Sequence, residues 1–431
     1  MHYARRNTPA PFAKAIMESG ATTARAVLVP SHPRHENQFR DFLKHAKLDG
    51  VPDDQIFERL REAPLADLVR ASKQVWDHYE PSVTWPFQPV IDGLTLDDNA
   101  IINQDNIIKN TSSKTAPIIP DLPIASWRQG KFMQIPVLTG FNTNEGTIFI
   151  PARASTNQDF RRFFKTLIPG LGEDDLHELE RLYPDPNRDP SSPYKTVPRG
   201  HGRQWARLDK AYSHYAYICP VLQSGHYLSA ASGNKDVGGK NSNKVYVYRF
   251  AATGPRGCAN HGDEAPVVAH DMGFLDRDRM PGLVEVADAM HSAWASFVVN
   301  KVGDPNGFVL STTTAGGKVV EWPEFRTPFE EAMSDVGNGS SIQIKTGVGV
   351  GSEDDDTGRI MVFGEGNDER RGREGKMSRG TTARVQRMSD LELEACRFWW
   401  DRIELSEGFG VRKGVENVER VGDGDNVKAK L

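Results

Sequence analysis

The chain contains no run of 18 apolar residues, so no segment of it reads as a helix able to cross a bilayer. Its first twelve residues, MHYARRNTPAPF, carry two arginines but none of the apolar core that a secretory leader needs. As written, the chain is therefore expected to stay in the cytosol. It also lacks a strong charge of either sign. The 53 lysines and arginines against 58 aspartates and glutamates leave a net charge of -5, too small a field to concentrate nucleic acid or an anionic membrane surface, and neither is expected as a partner. Metal signatures are missing too. His261, Asp263, Glu264, His270 and Asp271 cluster in sequence, but their spacing matches no standard zinc pattern, so no metal is expected. The glycine run Gly347 to Gly351 lacks the Lys-Ser/Thr of a phosphate loop and the flanking strand and helix, and no cofactor is expected.

What is present is enough to build a core. Hydrophobic residues make up 38% of 431 positions, a length that suits either two or three domains or one large α/β unit. Ala10 to Gly20 mixes apolar and small residues before a glycine, consistent with a strand entering a loop. Apolar residues at Phe39, Phe42, Leu43 and Ala46 have helical spacing within Arg34 to Leu48. The same holds for Phe57, Leu60, Leu65, Leu68 and Val75 within Asp53 to Tyr79. Pro81 to Gly93 reads as extended and turn-rich, and Asn99 to Leu122 as a polar connector. Further helices are predicted over Gln158 to Leu167, Glu173 to Tyr183, Glu285 to Val299 and Leu391 to Ile403, with two more in Gln204 to Ala230 split at Pro220. Between 327 and 388 the composition turns glycine- and charge-rich, with only Arg359 to Gly364 reading as a strand, so a flexible insertion is expected there and a frayed polar tail over 406–431.

Two loops stand out. Pro136 to Ile150, PVLTGFNTNEGTIFI, is an apolar run that breaks into a polar turn holding one acid, Glu145. That places a carboxylate at the exit of a buried strand, where α/β folds carry their chemistry. A second strand, Lys244 to Ala251, leads into GCANHGDEAPVV and its His261. Glu145 as a solvated loop acid and His261 as one of 12 histidines are the plain alternatives. Asp263 and Glu264 are rival acids for the imidazole, although so short a separation suits them better to solvent or a helix start.

GFNTNEGTIF followed by ANHGDEAPVV resembles the acid and histidine segments of the type-B carboxylesterase and cholinesterase family of α/β-hydrolases. Supporting segments, FAKAIMESGA, PFQPVIDG, YICP, GDPNG, WPEF and CRFWW, lie in this order along most of the chain. The resemblance implies an α/β fold with a mixed central sheet flanked by helices, spanning 1–405 as one domain, and carboxylic-ester substrates. It implies Glu145 as the acid and His261 as the general base of a Ser-His-Glu triad. The serine of that triad sits in a G-x-S-x-G elbow, and no G-x-S-x-G occurs in residues 1–431, nor does a glycine-rich oxyanion loop. Ser19, in MESGA, lacks the flanking glycines of such an elbow and is assigned a structural role.

The chain thus looks like the C-terminal two-thirds of such an enzyme, an incomplete α/β-hydrolase without its nucleophile and inactive alone. A non-catalytic, cholinesterase-like protein-binding domain is the alternative. The resemblance also implies a long-range disulfide between Cys219 and Cys396, which would point to an oxidising compartment and leave Cys258 outside it; two buried thiols are the other reading. The sequons at Asn110 and Asn338 would matter only on a secretory route.

Overall fold

The computed structural model describes residues 11–24, 26–96, 107–109, 117–231, 244–307, 320–329, 356–369 and 377–411. The glycine run at 347–351 and both sequons lie outside them. The chain opens with strands β1 (Ala15–Glu18) and β2 (Val27–Leu28), followed by helices α1 (Pro33–His45), α2 (Ile56–Glu62) and α3 (Leu65–Tyr79). The break between α2 and α3 falls at Pro64, which cannot donate to a continuing helix. A small antiparallel pair, β3 (Leu94–Leu96) and β4 (Ile107–Lys109), and a short helix α4 (Pro123–Arg128) lead into β5 (Val137–Asn142).

Helices α5 (Asn157–Leu167), α6 (Glu173–Leu182), α7 (Trp205–Ser213) and α8 (Cys219–Ala231) then precede β6 (Val245–Phe250). After β6 come α9 (Ala265–Val268), α10 (Pro281–Val299), β7 (Arg359–Glu365), β8 (Thr381–Arg387), α11 (Asp390–Trp400) and β9 (Glu407–Gly408).

The central sheet runs β1-β5-β6-β7-β8, parallel from β1 to β7 and antiparallel at β8, so it is mixed as expected. Alternation along each inner strand sorts the core into two layers. Val245 and Val247 of β6, with Ile360 and Val362 of β7, face a layer that includes α5 to α8 and α11. Tyr246, Tyr248, Met361 and Phe363 face α10 and its Trp294. Burial on both faces is why these strands read as nearly unbroken apolar runs. Gly140 in β5 is a packing requirement, since a Cβ there would sit 2.1 Å from the Tyr248 ring.

Three expectations change and one is met. Pro220 does not split a helix: α7 runs into α8 through a π-helical turn at His214–Ile218. Widening the turn there accommodates the proline ring and the hydrogen bond it cannot make. The region 327–388 holds a second strand, β8, because an antiparallel edge with one half-exposed face needs no apolar run. The 406–431 tail begins inside the fold, with β9 pairing β2 and Glu407 buried. As the resemblance implied, Cys219 and Cys396 form a disulfide joining α8 to α11 across 177 residues, with Cα atoms 4.9 Å apart. Cys258 stays outside it, its thiol 3.4 Å from Asn260 Oδ1.

Candidate active site

Strand β5 ends at Asn142 and β6 at Phe250, and their pairing does not stop there. The Thr143 amide donates to Phe250 O at 3.0 Å and the Asn144 amide to Ala259 O at 2.9 Å, with a parallel bridge between Asn144 and Asn260. One residue beyond that bridge on each side stand Glu145 and His261. The parallel ladder therefore delivers the acid and the imidazole side by side, although 116 positions separate them in sequence.

His261 Nδ1 lies 2.6 Å from Glu145 Oε2. The other carboxylate oxygen, Oε1, accepts from the Asn142 amide at 2.6 Å and from the Ser19 hydroxyl at 2.5 Å. Glu145 is fully buried, so it is no solvated loop acid. The His261 ring packs against Tyr217 and Phe149, with centroids 4.6 and 5.5 Å away, which fixes its plane. With Nδ1 committed to the carboxylate, Nε2 is the nitrogen left for chemistry, and among the described residues nothing hydrogen-bonds it.

The turn around Glu145 is braced from behind. Asp209 of α7, buried, accepts from the Gly146 amide at 3.0 Å and the Asn144 side chain at 2.7 Å, while Ser213 accepts from the same Gly146 amide at 2.8 Å. Burial pushes the Asp209 carboxyl up to about 6, against the opposing pull of its donors. A side chain at Gly146 would collide with Asp209, which explains the glycine.

The rival acids do not reach the imidazole, and neither faces solvent alone. Asp263 Oδ2 accepts from the Asn260 amide and side chain, each at 2.9 Å. Glu264 is buried and accepts from the Asn142 side-chain amide; burial first, then the nearby Glu145 and Glu18 charges, raise its carboxyl to about 7. His270 bonds Asp288 at 2.7 Å, and among the described residues no group of three metal-ligating side chains is gathered.

Ser19 is the residue that sequence reasoning undervalued. It follows the end of β1 with φ of 53°, in the left-handed region, and its amide bonds Gly140 O at 2.8 Å. That kink turns its hydroxyl onto Glu145. The only hint in sequence was its position at a strand exit before Gly20. A cavity of about 470 Å³ opens in front of the site, with Ser19, Gly20, Trp127, Phe132, Tyr217 and His261 in its wall.

The family model described as the Carboxylesterase family matches residues 1–347. The chain is 28% identical over 231 residues to Secreted lipase 4 of Gibberella zeae, an overlap of 53% of this chain and 37% of that protein. It is 23% identical over 316 residues to the Inactive carboxylesterase-like protein VdtD of Byssochlamys spectabilis, covering 68% and 47%. The chain thus spans less than half the length of these two relatives. A crystal structure of Aspergillus niger EstA superposes with a TM-score of 0.62 at 19% identity, over 94% of this chain and 61% of that one, and shares the fold.

Proposed function

Because this chain belongs to the carboxylesterase family, we propose that it carries the acid and histidine of a carboxylic-ester hydrolase, with Glu145 as acid and His261 as general base. The observation that carries this is the 2.6 Å bond between His261 Nδ1 and Glu145 Oε2, built on the continued β5–β6 ladder. A carboxylate on Nδ1 holds the imidazole in the tautomer whose Nε2 can accept a proton, and it stabilises the imidazolium that results.

The expected reaction is acyl transfer. A serine hydroxyl gives its proton to His261 Nε2 while its oxygen bonds the ester carbonyl carbon. The alcohol leaves with that proton, and water repeats the sequence on the acyl-enzyme to release the acid. The serine and oxyanion donors are assigned to a segment outside residues 1–431, because the sequence has no G-x-S-x-G and Ser19 is bound to the acid. The open outer edge of β1, which pairs with β5 alone among the described strands, is consistent with a sheet that continues in such a segment.

A protein limited to residues 1–431 should neither hydrolyse p-nitrophenyl esters nor take up a fluorophosphonate probe. A longer product of the same gene, including an in-frame G-x-S-x-G upstream, should do both. Turnover by 1–431 that disappears in Ser19→Ala would sink the assignment. The second reading, a non-catalytic binding domain, is favoured by one relative being named an inactive carboxylesterase-like protein. The intact acid–histidine contact weighs against it, and a longer product that binds no probe would favour it.

A further inference from the structure

We propose that Asn142 decides which carboxylate the His261 imidazole uses, holding Glu264 aside so that Nδ1 bonds Glu145; this rests on the assignment of Glu145 and His261 above. Asn142 is the last residue of β5 and is fully buried. It touches both halves of the site. Its backbone amide donates to Glu145 Oε1 at 2.6 Å. Its side-chain Nδ2 donates to the carbonyl of Asn260, the residue before His261, at 2.5 Å, and to Glu264 Oε2, three residues after it.

The need for such a device follows from the geometry. Two buried carboxylates belong to the two loops that Asn142 joins, Glu145, which bonds His261, and Glu264, three residues after His261 in its own loop. Were Glu264 to bond the ring nitrogen instead, the imidazole would be tied to its own loop and lose the fixed reference of the sheet. A primary amide is the side chain suited to prevent this, since its NH2 offers two donors in one plane. Here one goes to the Asn260 carbonyl and the other to Glu264, and both originate from a strand residue that the ladder holds rigid. An aspartate side chain at 142 would present only acceptors to the Asn260 carbonyl and the Glu264 carboxylate. Leucine would keep the volume but leave Glu264 and the Asn260 carbonyl without these donors, a costly loss for buried acceptors.

The role can be read without catalysis, in the chain of 1–431, from the low-field proton NMR resonance of the His261 Nδ1–H at a pH above 8, where Glu264 is ionised. With Asn142 unchanged, that resonance should vanish in Glu145→Gln and persist in Glu264→Gln. In Asn142→Leu it should shift or vanish, and adding Glu264→Gln to Asn142→Leu should bring it back to its original position. If Asn142→Leu does not fold, as judged by circular dichroism, Asn142→Ser is measured with the same partner substitution. Loss of thermal stability with an unmoved resonance would reduce Asn142 to a structural residue. Failure of Glu264→Gln to restore the resonance would overturn the selection between carboxylates. A resonance unaffected by Glu145→Gln would overturn the underlying pairing instead, so the two failures are distinguishable.

Discussion

The Ser19 hydroxyl donates to Glu145 Oε1 at 2.5 Å, on the oxygen that His261 does not use. This serine of the site wall is therefore bound to the acid. Ser19→Ala should leave Glu145 with one donor fewer in a buried setting, lowering stability by about 1–2 kcal/mol. Chemical denaturation of the two proteins measures this directly, and equal stability would show that the hydroxyl is not needed to satisfy the carboxylate.

Glu407 gives the fold a pH dependence of known sign. Its carboxylate is buried, accepts from the Ile124 amide at 3.2 Å through both oxygens, and is raised by burial from 4.5 to about 8. The folded state thus holds this proton over a range where the unfolded chain has lost it, so the contribution to stability is full below about 4.5 and fades as pH rises to about 8. Glu407→Gln cannot ionise and should flatten that decline, exceeding the parent by ~1 kcal/mol or more above pH 8. Melting curves from pH 5 to about 9 test it. A parent and variant that fall in parallel would mean that Glu407 does not titrate in this window.

The disulfide between Cys219 and Cys396 closes a loop spanning 177 positions and ties two buried helices together. Removing it as Cys396→Ser should cost about 2–5 kcal/mol, the range for a link of this length in the chain-entropy account. Alkylation of the denatured, unreduced protein should modify Cys258 but neither of the other two cysteines. Labelling at all three positions would argue that the protein matures in a reducing compartment.

The inner strands were legible in sequence because they are buried on both faces. Val137–Asn142 and Val245–Phe250 are covered on both faces, so apolar residues run through them and the polar turns at their ends are conspicuous. The β8 strand, TTARVQR, was not legible because one face is half-exposed and carries Arg384, which pairs with Glu365 across the hairpin. Pro220 misled for a related reason: the rule that proline ends a helix assumes ordinary helical geometry, and the π-turn before it changes that geometry.

By itself, the order of residues determined that an acid and a histidine each follow a buried strand, that no G-x-S-x-G lies in 1–431, and that two cysteines sit in segments suited to helices. Only the tertiary structure decided that β5 and β6 are neighbours, that Ser19 turns onto the acid, and that Asn142 reaches both loops at once. The reason is that local chemistry is written in the residues around a position. Which strand pairs with which depends on how the whole chain buries its two layers, and hydrogen-bond partners more than 100 positions apart leave no local mark.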